Sequence, residues 1–175
     1  MAIRRSFIGL AIASIFVIGI WLVGSVPQVM AETLNFRTFS QVTKREAVPL
    51  PDAEGHSVGL TIFEGVWIFE NGELAWGRSI NLWDMTKEAG TIEDYATVTF
   101  QDGSTITHRT QEATPAGVPL RATKRTGEII HGTGRFQGIK GTTATPIIKF
   151  FPLEKGETGA KSFGEATLNY TLPPK

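Results

Sequence analysis

The side chains best suited to chemistry in this sequence are a carboxylate and a guanidinium, Glu64 and Arg78, and a carboxylate and an imidazole, Asp94 and His108. A carboxylate and a guanidinium within an apolar pocket are typical of small-molecule sites. The same two groups also form structural ion pairs, because one buried charge without a partner is costly. Asp94 and His108 fit an acid–base couple, a hydrogen bond at the rim of the fold, or simple exposure. Their chemistry therefore depends on the strand faces that carry them.

The first pair lies on two segments joined by Glu70-Asn71-Gly72. A three-residue loop with the glycine in the left-handed conformation places Glu64 opposite Arg78. A two-residue turn would instead set two glutamates opposite each other, which is unfavourable. The same register pairs four apolar couples: Ile68 with Leu74, Val66 with Trp76, Ile62 with Ile80, and Leu60 with Leu82. Because this face is apolar apart from its central ion pair, we predict that it lines the interior.

The second pair lies beside the related turn Gln101-Asp102-Gly103. An equivalent loop pairs Asp94 with Thr110 and sets Asp94 diagonal to His108. The other pairs of this hairpin are Phe100 with Ser104, Val98 with Ile106, and Ala96 with His108. This face is apolar near the turn and polar further in, so we predict that it also points inward. The resulting ligand-binding candidates are Glu64, Arg78, Trp76, Asp94 and His108.

Large aromatic side chains occupy the alternate positions of the first hairpin, which point away from the predicted inner face. They are Phe63, Trp67, Phe69 and Trp83. A row of exposed aromatics across neighbouring strands is unusual for a monomer and often marks an interface. The alternatives are a wrong register or a covering loop. We predict a homo-oligomeric interface, in a dimer or a trimer.

Short β-branched and aromatic runs, separated by turn residues, predict an all-β domain. The predicted strands are Leu34–Val42, Ser57–Phe69, Glu73–Met85, Thr91–Phe100, Ser104–Gln111, Arg121–His131, Thr142–Phe151 and Lys161–Leu172. Eight antiparallel strands on hairpin loops form a barrel or a sandwich. The segment Met85 to Ala89 has a mixed pattern that also suits a single helical turn.

The first 31 residues are typical of an export segment. Two arginines precede an uncharged apolar run from Phe7 to Val26, and after Pro27 the segment Val29-Met30-Ala31 places a β-branched and a small residue at the two positions that a signal peptidase reads. We predict a signal peptide over residues 1–31, with an uncleaved membrane-anchoring helix as the alternative because about 20 apolar residues can span a bilayer. The domain over residues 32–175 is therefore predicted to be secreted, periplasmic, or anchored outside the cytoplasm.

The composition argues against several classes of function. The chain has 17 basic and 17 acidic residues, whereas a nucleic-acid partner needs a concentrated basic face. It has no cysteine, which excludes disulfides, thiolate metal sites and thiol catalysis. His56, His108 and His131 are scattered, so we predict neither a metal site nor a cofactor.

The segment Ile130 to Gly141 carries a distinctive glycine spacing, GxGxFxGxxG. Its glycines are Gly132, Gly134, Gly138 and Gly141. The segment resembles the strand-turn-strand signature of the allene oxide cyclase and dirigent proteins, and the final strand from Gly164 to Tyr170 supports the resemblance. The resemblance implies an eight-stranded antiparallel barrel with a central hydrophobic cavity, frequently trimeric, that acts on or guides hydrophobic small molecules. It assigns no catalytic residue in this chain.

Three classes of function follow from these features. The leading one is an exported barrel that binds a hydrophobic small molecule, since no nucleophile motif accompanies the apolar inner face. The second is an isomerase or cyclase, which needs only a shaped pocket and one or two polar groups. The third is an assembly or interaction protein of the cell envelope. A large internal cavity favours the first two, and a filled core favours the third.

Overall fold

The computed structural model describes residues 31–87, 89–115, 125–152 and 159–174, which form a closed antiparallel barrel. Its strands are β1 Ala31–Pro49, β2 His56–Phe69, β3 Leu74–Thr86, β4 Ala89–Phe100, β5 Thr105–Thr114, β6 Arg125–Gly132, β7 Lys140–Phe150 and β8 Lys161–Thr171. Each strand pairs with the next, and β8 pairs with β1. The eight predicted strands and the barrel are confirmed. The helical turn is wrong, because β3 continues to Thr86, which pairs with Ala89.

The predicted leader lies outside the described residues, apart from Ala31, the first residue of β1. Within the described part of the chain, no helix is long and apolar enough to cross a membrane.

Both predicted hairpin registers are confirmed. Glu64 pairs with Arg78 across β2 and β3, and Asp94 pairs with Thr110 across β4 and β5. Gly72 has a φ of +86° and Gly103 a φ of +80°, the left-handed conformation that the three-residue loops require.

The predicted faces of the first hairpin are wrong. Trp67 and Phe69 are buried, with 6% and 2% of their surface exposed, whereas Val66 and Trp76 are 38% and 54% exposed. Glu64, Arg78 and Trp76 therefore point outward, opposite to the prediction. The four predicted interface aromatics, Phe63, Trp67, Phe69 and Trp83, are on the inner side instead.

Close packing and strand register together explain this reversal. Gly77 lies against the Trp67 indole, where a Cβ atom would approach Nε1 to 1.9 Å, so the glycine makes room for the large ring inside the barrel. In addition, Ser79 pairs with Ala96, which is 1% exposed. An inward Ala96 requires an inward Ser79, and the adjacent Arg78 must then point outward.

The inward face predicted for the second hairpin is confirmed. Asp94 and His108 are 8% and 4% exposed, and Val98 and Ile106 are completely buried. This face supplies both the apolar core near the turn and the polar residues beyond it.

Aromatic side chains close the end of the barrel nearest these turns. Phe100 contacts Phe69 and Phe136 at ring distances of 5.1 and 4.9 Å. The Arg135 guanidinium lies over the rings of Phe100 and Phe136 and forms an ion pair with Glu73 at 2.6 Å. A ligand would therefore have to enter from the opposite end.

The glycine segment forms the tight connection between β6 and β7. Gly134 begins a short 3₁₀ helix, Gly134–Phe136, with a φ of +59°, and Gly138 has a φ of +77°. At Gly132 and Gly141, a Cβ atom would lie within 2.4 Å of a backbone oxygen. The predicted structural role of these glycines in a turn agrees with this geometry.

We expect Gly134→Ala to lower the free energy of unfolding by about 2–3 kcal/mol, against about 1 kcal/mol for Gly72→Ala. Both glycines have positive φ, but a Cβ atom at Gly134 would lie 2.3 Å from Ser104 Oγ, whereas none lies within 4 Å at Gly72. The displaced hydroxyl would also lose the hydrogen bond that it accepts from the Arg135 amide. Urea denaturation of both variants measures the difference. Equal losses would show that the contact with Ser104 contributes nothing.

At the opposite end, His56 bridges two carboxylates. Its Nδ1 lies 2.6 Å from Asp52 Oδ1 and its Nε2 lies 2.9 Å from Asp84 Oδ1. The hydrogen bond with Asp84, followed by that with Asp52, raises the pKa of His56 above its ordinary value of 6.5. The bridge connects the β1–β2 loop to β3.

This bridge predicts a pH-dependent stability. Because the pKa of His56 is raised on folding, its stabilising contribution is complete below about pH 6.5 and is lost as the pH rises through the raised pKa. We expect the difference in melting temperature between the wild type and His56→Gln to be largest near pH 5.5 and to shrink above neutrality. A difference that is constant with pH would contradict the bridge.

Candidate functional site

Beyond the aromatic floor, the barrel contains an inner chamber of about 90 Å³, whose walls include Phe36, Trp67, Ala96, His108 and Thr110. An outer chamber of about 490 Å³ adjoins it. The two share four lining residues: Phe63, Asn81, Arg125 and Phe150. The described part of the barrel therefore contains a cavity large enough for several water molecules or part of an organic ligand.

One part of the wall of the inner chamber is aromatic. Phe36 and Trp67 stack with their ring centroids 4.6 Å apart and their planes 9° from parallel. The His108 imidazole packs 5.6 Å from the Trp67 ring. These flat surfaces suit an apolar or ring-shaped ligand.

A row of five residues, four of them with polar side chains, crosses the barrel wall next to these aromatic residues. Strand pairing places Asn81 beside Asp94, Asp94 beside Thr110, Thr110 beside Gly127, and Gly127 beside Thr143. We call these five residues the polar row. Each lies on a different strand, from β3 to β7, so the row follows from the barrel register.

Asp94 is the buried acid of the polar row. Its Oδ1 accepts a hydrogen bond of 2.6 Å from Asn81 Nδ2, which also donates to Ser79 Oγ at 3.1 Å. Burial raises the pKa of Asp94, against the opposing effects of the Arg125 charge and a hydrogen bond with Ser79. The raised pKa makes this carboxyl a candidate proton donor or acceptor.

Arg125 and Glu112 form an ion pair at the boundary of the two chambers. Arg125 Nε donates a hydrogen bond to Glu112 Oε2, and the Glu112 side chain is 2% exposed. Arg125 also donates to Asn81 Oδ1 at 3.5 Å, which connects the pair to the polar row. The charge of Arg125 is therefore already neutralised by a protein carboxylate.

Three buried polar atoms of the barrel interior have no hydrogen-bond partner within the described structure, and two of them belong to residues that line the inner chamber, His108 and Thr110. They are His108 Nδ1, Thr110 Oγ1 and Thr143 Oγ1. Burial lowers the pKa of His108 to about 4, so its ring is neutral at pH 7. Buried polar atoms are nearly always hydrogen-bonded, and an unsatisfied one costs about 1–3 kcal/mol. Two of them on the wall of one cavity indicate a place for a ligand or for water.

The structure brings only part of the predicted site together. Asp94 and His108 both line the inner chamber, but no hydrogen bond joins them in the described structure. Glu64 and Arg78 form the predicted ion pair at 3.4 Å, on the outer surface, where Trp76 also lies. Their predicted placement in an interior pocket is therefore wrong.

Several residues of the chamber were missed from the sequence. Thr110 could have been identified, because the predicted register already placed it opposite Asp94. Arg125 lies on β6 and Thr143 on β7, and the register of these two strands has no turn signal as clear as those of the first two hairpins. Of the other histidines, His131 is exposed and His56 forms the carboxylate bridge. Among the described residues, no group of three or more histidines and acids is arranged to hold a metal ion.

No family model matches the sequence, and no curated protein matches it. Solved structures with a similar fold include the pterocarpan synthase dirigent protein GePTS1, at 15% identity over 84% of this chain and 95% of that one, with a TM-score of 0.46. The Diels Alderase AbmU from Streptomyces koyangensis is 13% identical over 98% of this chain and 84% of that one, also with a TM-score of 0.46. A pyocyanin demethylase is 14% identical over 78% of this chain and 99% of that one, with the same TM-score. Dirigent proteins are thus among the structural neighbours, and the barrel expected from the glycine segment is observed. At these identities the likeness is one of fold alone.

Proposed function

We propose that this protein is an exported barrel that binds a small molecule with an apolar body and an uncharged, oxygen-bearing group. The observation that carries the proposal is the pair of unpartnered polar atoms on His108 and Thr110, two residues that line the inner chamber. Hydroxyl groups and a neutral imidazole can donate to or accept from a ligand hydroxyl or carbonyl. The stacked rings of Phe36 and Trp67 offer a surface to its apolar body.

The charges around the inner chamber favour an uncharged ligand group. Arg125 is paired with Glu112, and Asp94 is hydrogen-bonded to Asn81. His108, with its pKa near 4, supplies no positive charge at pH 7. A carboxylate entering the inner chamber would therefore meet no unpaired cation among its described lining residues, and burying an unpaired charge is costly.

The test is native mass spectrometry of protein purified from its own host. We expect a bound small molecule that organic extraction releases. Thr110→Val should weaken its binding by about tenfold, because one hydrogen bond is worth about 1 kcal/mol, whereas Thr143→Val, which lies outside the chamber lining, should weaken it less. The same substitutions should raise the melting temperature of the ligand-free protein, since each removes an unsatisfied buried hydroxyl.

Thr107→Val is the matched control on the same strand. The Thr107 hydroxyl lies 3.0 Å from that of Thr97, on the outer face of the barrel. Its loss should leave ligand binding unchanged and should not raise the melting temperature. A ligand-free wild type, together with valine variants that melt like the wild type, would overturn the proposal.

Asp94 favours a second candidate, an isomerase or cyclase acting on the same ligand. A buried carboxyl with a raised pKa, beside a cavity, can transfer a proton within a bound substrate. Asp94→Asn should then retain ligand binding but stop its conversion, and the variant should accumulate the substrate. If the wild type and Asp94→Asn carry the same molecule, the barrel is a binding protein and not an enzyme.

Export rests on the basic and apolar pattern of residues 1–31. Cell fractionation and N-terminal sequencing of the native protein test it. A new N-terminus at Glu32 would establish a cleaved signal, and a membrane-bound chain that begins at Met1 would establish the anchor. Recovery of the protein in the cytoplasm would contradict both.

A further inference from the structure

A β-bulge in β1 places Arg45 on the inner side of the barrel. Val42 and Arg45 are three residues apart, so in a regular strand they would point to opposite faces. The pairing of β1 with β2 shifts just after Val42, which leaves Thr43 as an extra residue and sets Arg45 opposite Thr61. Thr61 is 8% exposed, and both it and Arg45 line the outer chamber together with Val42. Bulges at barrel rims often redirect a side chain toward a functional site.

The Trp83 indole supports the guanidinium of Arg45. The guanidinium carbon lies over the indole, 5.5 Å from the ring centroid. Trp83 is itself fixed from two sides: its Nε1 donates a hydrogen bond of 3.3 Å to Thr61 Oγ1, and a Cβ atom at Gly59 would overlap the ring. A guanidinium that lies over an aromatic ring keeps the N–H groups of its edge available for an anion. Trp83 therefore positions Arg45 without using its hydrogen-bond donors.

The described lining of the outer chamber contains three positive charges and no acidic side chain. The three are Arg45, Lys87 and Arg125. Arg125 is paired with Glu112. Lys87 lies 3.6 Å from the carboxylate of Glu54. Arg45 forms no ion pair with any residue of the described structure, so one positive charge of the outer chamber lacks a partner.

The remaining wall of the outer chamber is largely apolar. Its apolar side chains include Val42, Phe63, Met85, Ile92 and Phe150. Phe63 and Phe150 also line the inner chamber, so a single molecule can extend from one chamber into the other. Apolar walls with several aromatic rings suit a ligand whose body contains rings.

We infer that Arg45 binds an anionic end of the ligand, so that the molecule combines an apolar, ring-bearing body with a single negative charge, such as a carboxylate or a sulfonate. The inference rests on the proposed function, because it concerns the outer end of the same ligand. One unpaired cation matches one negative charge, whereas a doubly charged phosphate would keep one charge without a partner. The charged end then lies in the outer chamber beside Arg45, and the uncharged end reaches the inner chamber, whose described lining has no unpaired cation.

The experiment compares two fluorescent dyes that share a ring system and differ in charge. They are anilinonaphthalene sulfonate and its uncharged analogue phenylnaphthylamine, and each is titrated into protein produced from the full-length gene. We expect both dyes to bind the wild type. Arg45→Met should weaken binding of the sulfonate about five- to tenfold and leave that of the neutral dye within about twofold, because only the sulfonate accepts charge-assisted hydrogen bonds from the guanidinium. Arg45→Lys keeps the positive charge and should bind the sulfonate within about threefold of the wild type.

Arg37→Met is the matched control on the same strand. Arg37 lies on the outer surface, where its Nε is 3.5 Å from Glu165 Oε1, and its loss should leave the binding of both dyes unchanged. An Arg45→Met variant that binds the sulfonate like the wild type, or that weakens both dyes equally, would overturn the inference while the proposed cavity stands. A loss of sulfonate binding in Arg37→Met as large as in Arg45→Met would place the sulfonate on the outer surface and would also overturn it. Failure of both dyes to bind the wild type would overturn the cavity itself, and the proposed function with it.

Discussion

Replacing Arg125 by Met is expected to lower the free energy of unfolding by about 3–5 kcal/mol. The substitution leaves the Glu112 carboxylate, with 2% of its side chain exposed, without its cation. Among the described residues, the remaining polar contact of Glu112 is with Thr114 Oγ1 at 3.5 Å, which cannot compensate a buried charge. Guanidinium or urea denaturation at pH 7 measures the loss.

The double variant Glu112→Leu with Arg125→Met separates the cost of an orphaned charge from the value of the pair. We expect it to recover most of the loss, because an apolar replacement of similar size removes both charges together. Arg109→Met is the matched control, since Arg109 pairs with Glu128 at 2.7 Å on the surface, where the two side chains are 38% and 56% exposed. It should have a much smaller effect. Equal losses for Arg125→Met and the double variant would show that the pair stabilises the barrel in its own right.

Local turn chemistry made much of the fold predictable. The glycines of the Asn71-Gly72 and Asp102-Gly103 loops adopt the positive φ that a three-residue hairpin needs, and each loop alone fixed the pairing of its two strands. The inward position of Asp94 and His108 followed from the second hairpin, because only one of its faces is apolar near the turn.

The faces of the first hairpin could not be chosen in this way. Both sides of β2 are rich in apolar residues, so the pattern alone does not distinguish the interior from the surface. The deciding information is the register between β3 and β4, where Ser79 pairs with Ala96. That register depends on the connection between Thr86 and Ala89. The sequence of this connection also suited a helical turn, so the faces of the second hairpin could not be carried over to the first.

The candidate site was only partly predictable for the same reason. The polar row is assembled by five strands, and no turn signal determines the register of the strands beyond β5. Gly127 has no side chain that a sequence pattern could identify as inward. Thr143 is a threonine of a type common in strands, and only strand pairing places it in the polar row. Residues brought together by several successive registers are therefore the ones that sequence patterns miss.

The second large effect is expected for Ala96→Leu, which should strongly weaken ligand binding without unfolding the barrel. Ala96 is 1% exposed and lines the inner chamber beside Ser79 and His108. Three added carbon atoms would project into a space of about 90 Å³ that the ligand is proposed to occupy. We expect the affinity for the co-purifying molecule to fall about 100-fold, corresponding to nearly 3 kcal/mol.

The stability of this variant distinguishes a chamber from a well-packed core. If the space is empty without ligand, the leucine gains apolar contacts, and the free energy of unfolding should be unchanged or higher by about 1–2 kcal/mol. If the core is already full, overpacking should instead destabilise the protein by about 1–3 kcal/mol. Thr97→Leu, on the adjacent outward position of β4, controls for the substitution itself and should leave binding intact. A stable Ala96→Leu variant that still carries the wild-type ligand would place that ligand outside the chamber. Loss of the ligand with retained stability would instead place it against the inner wall formed by Ala96, His108 and Thr110.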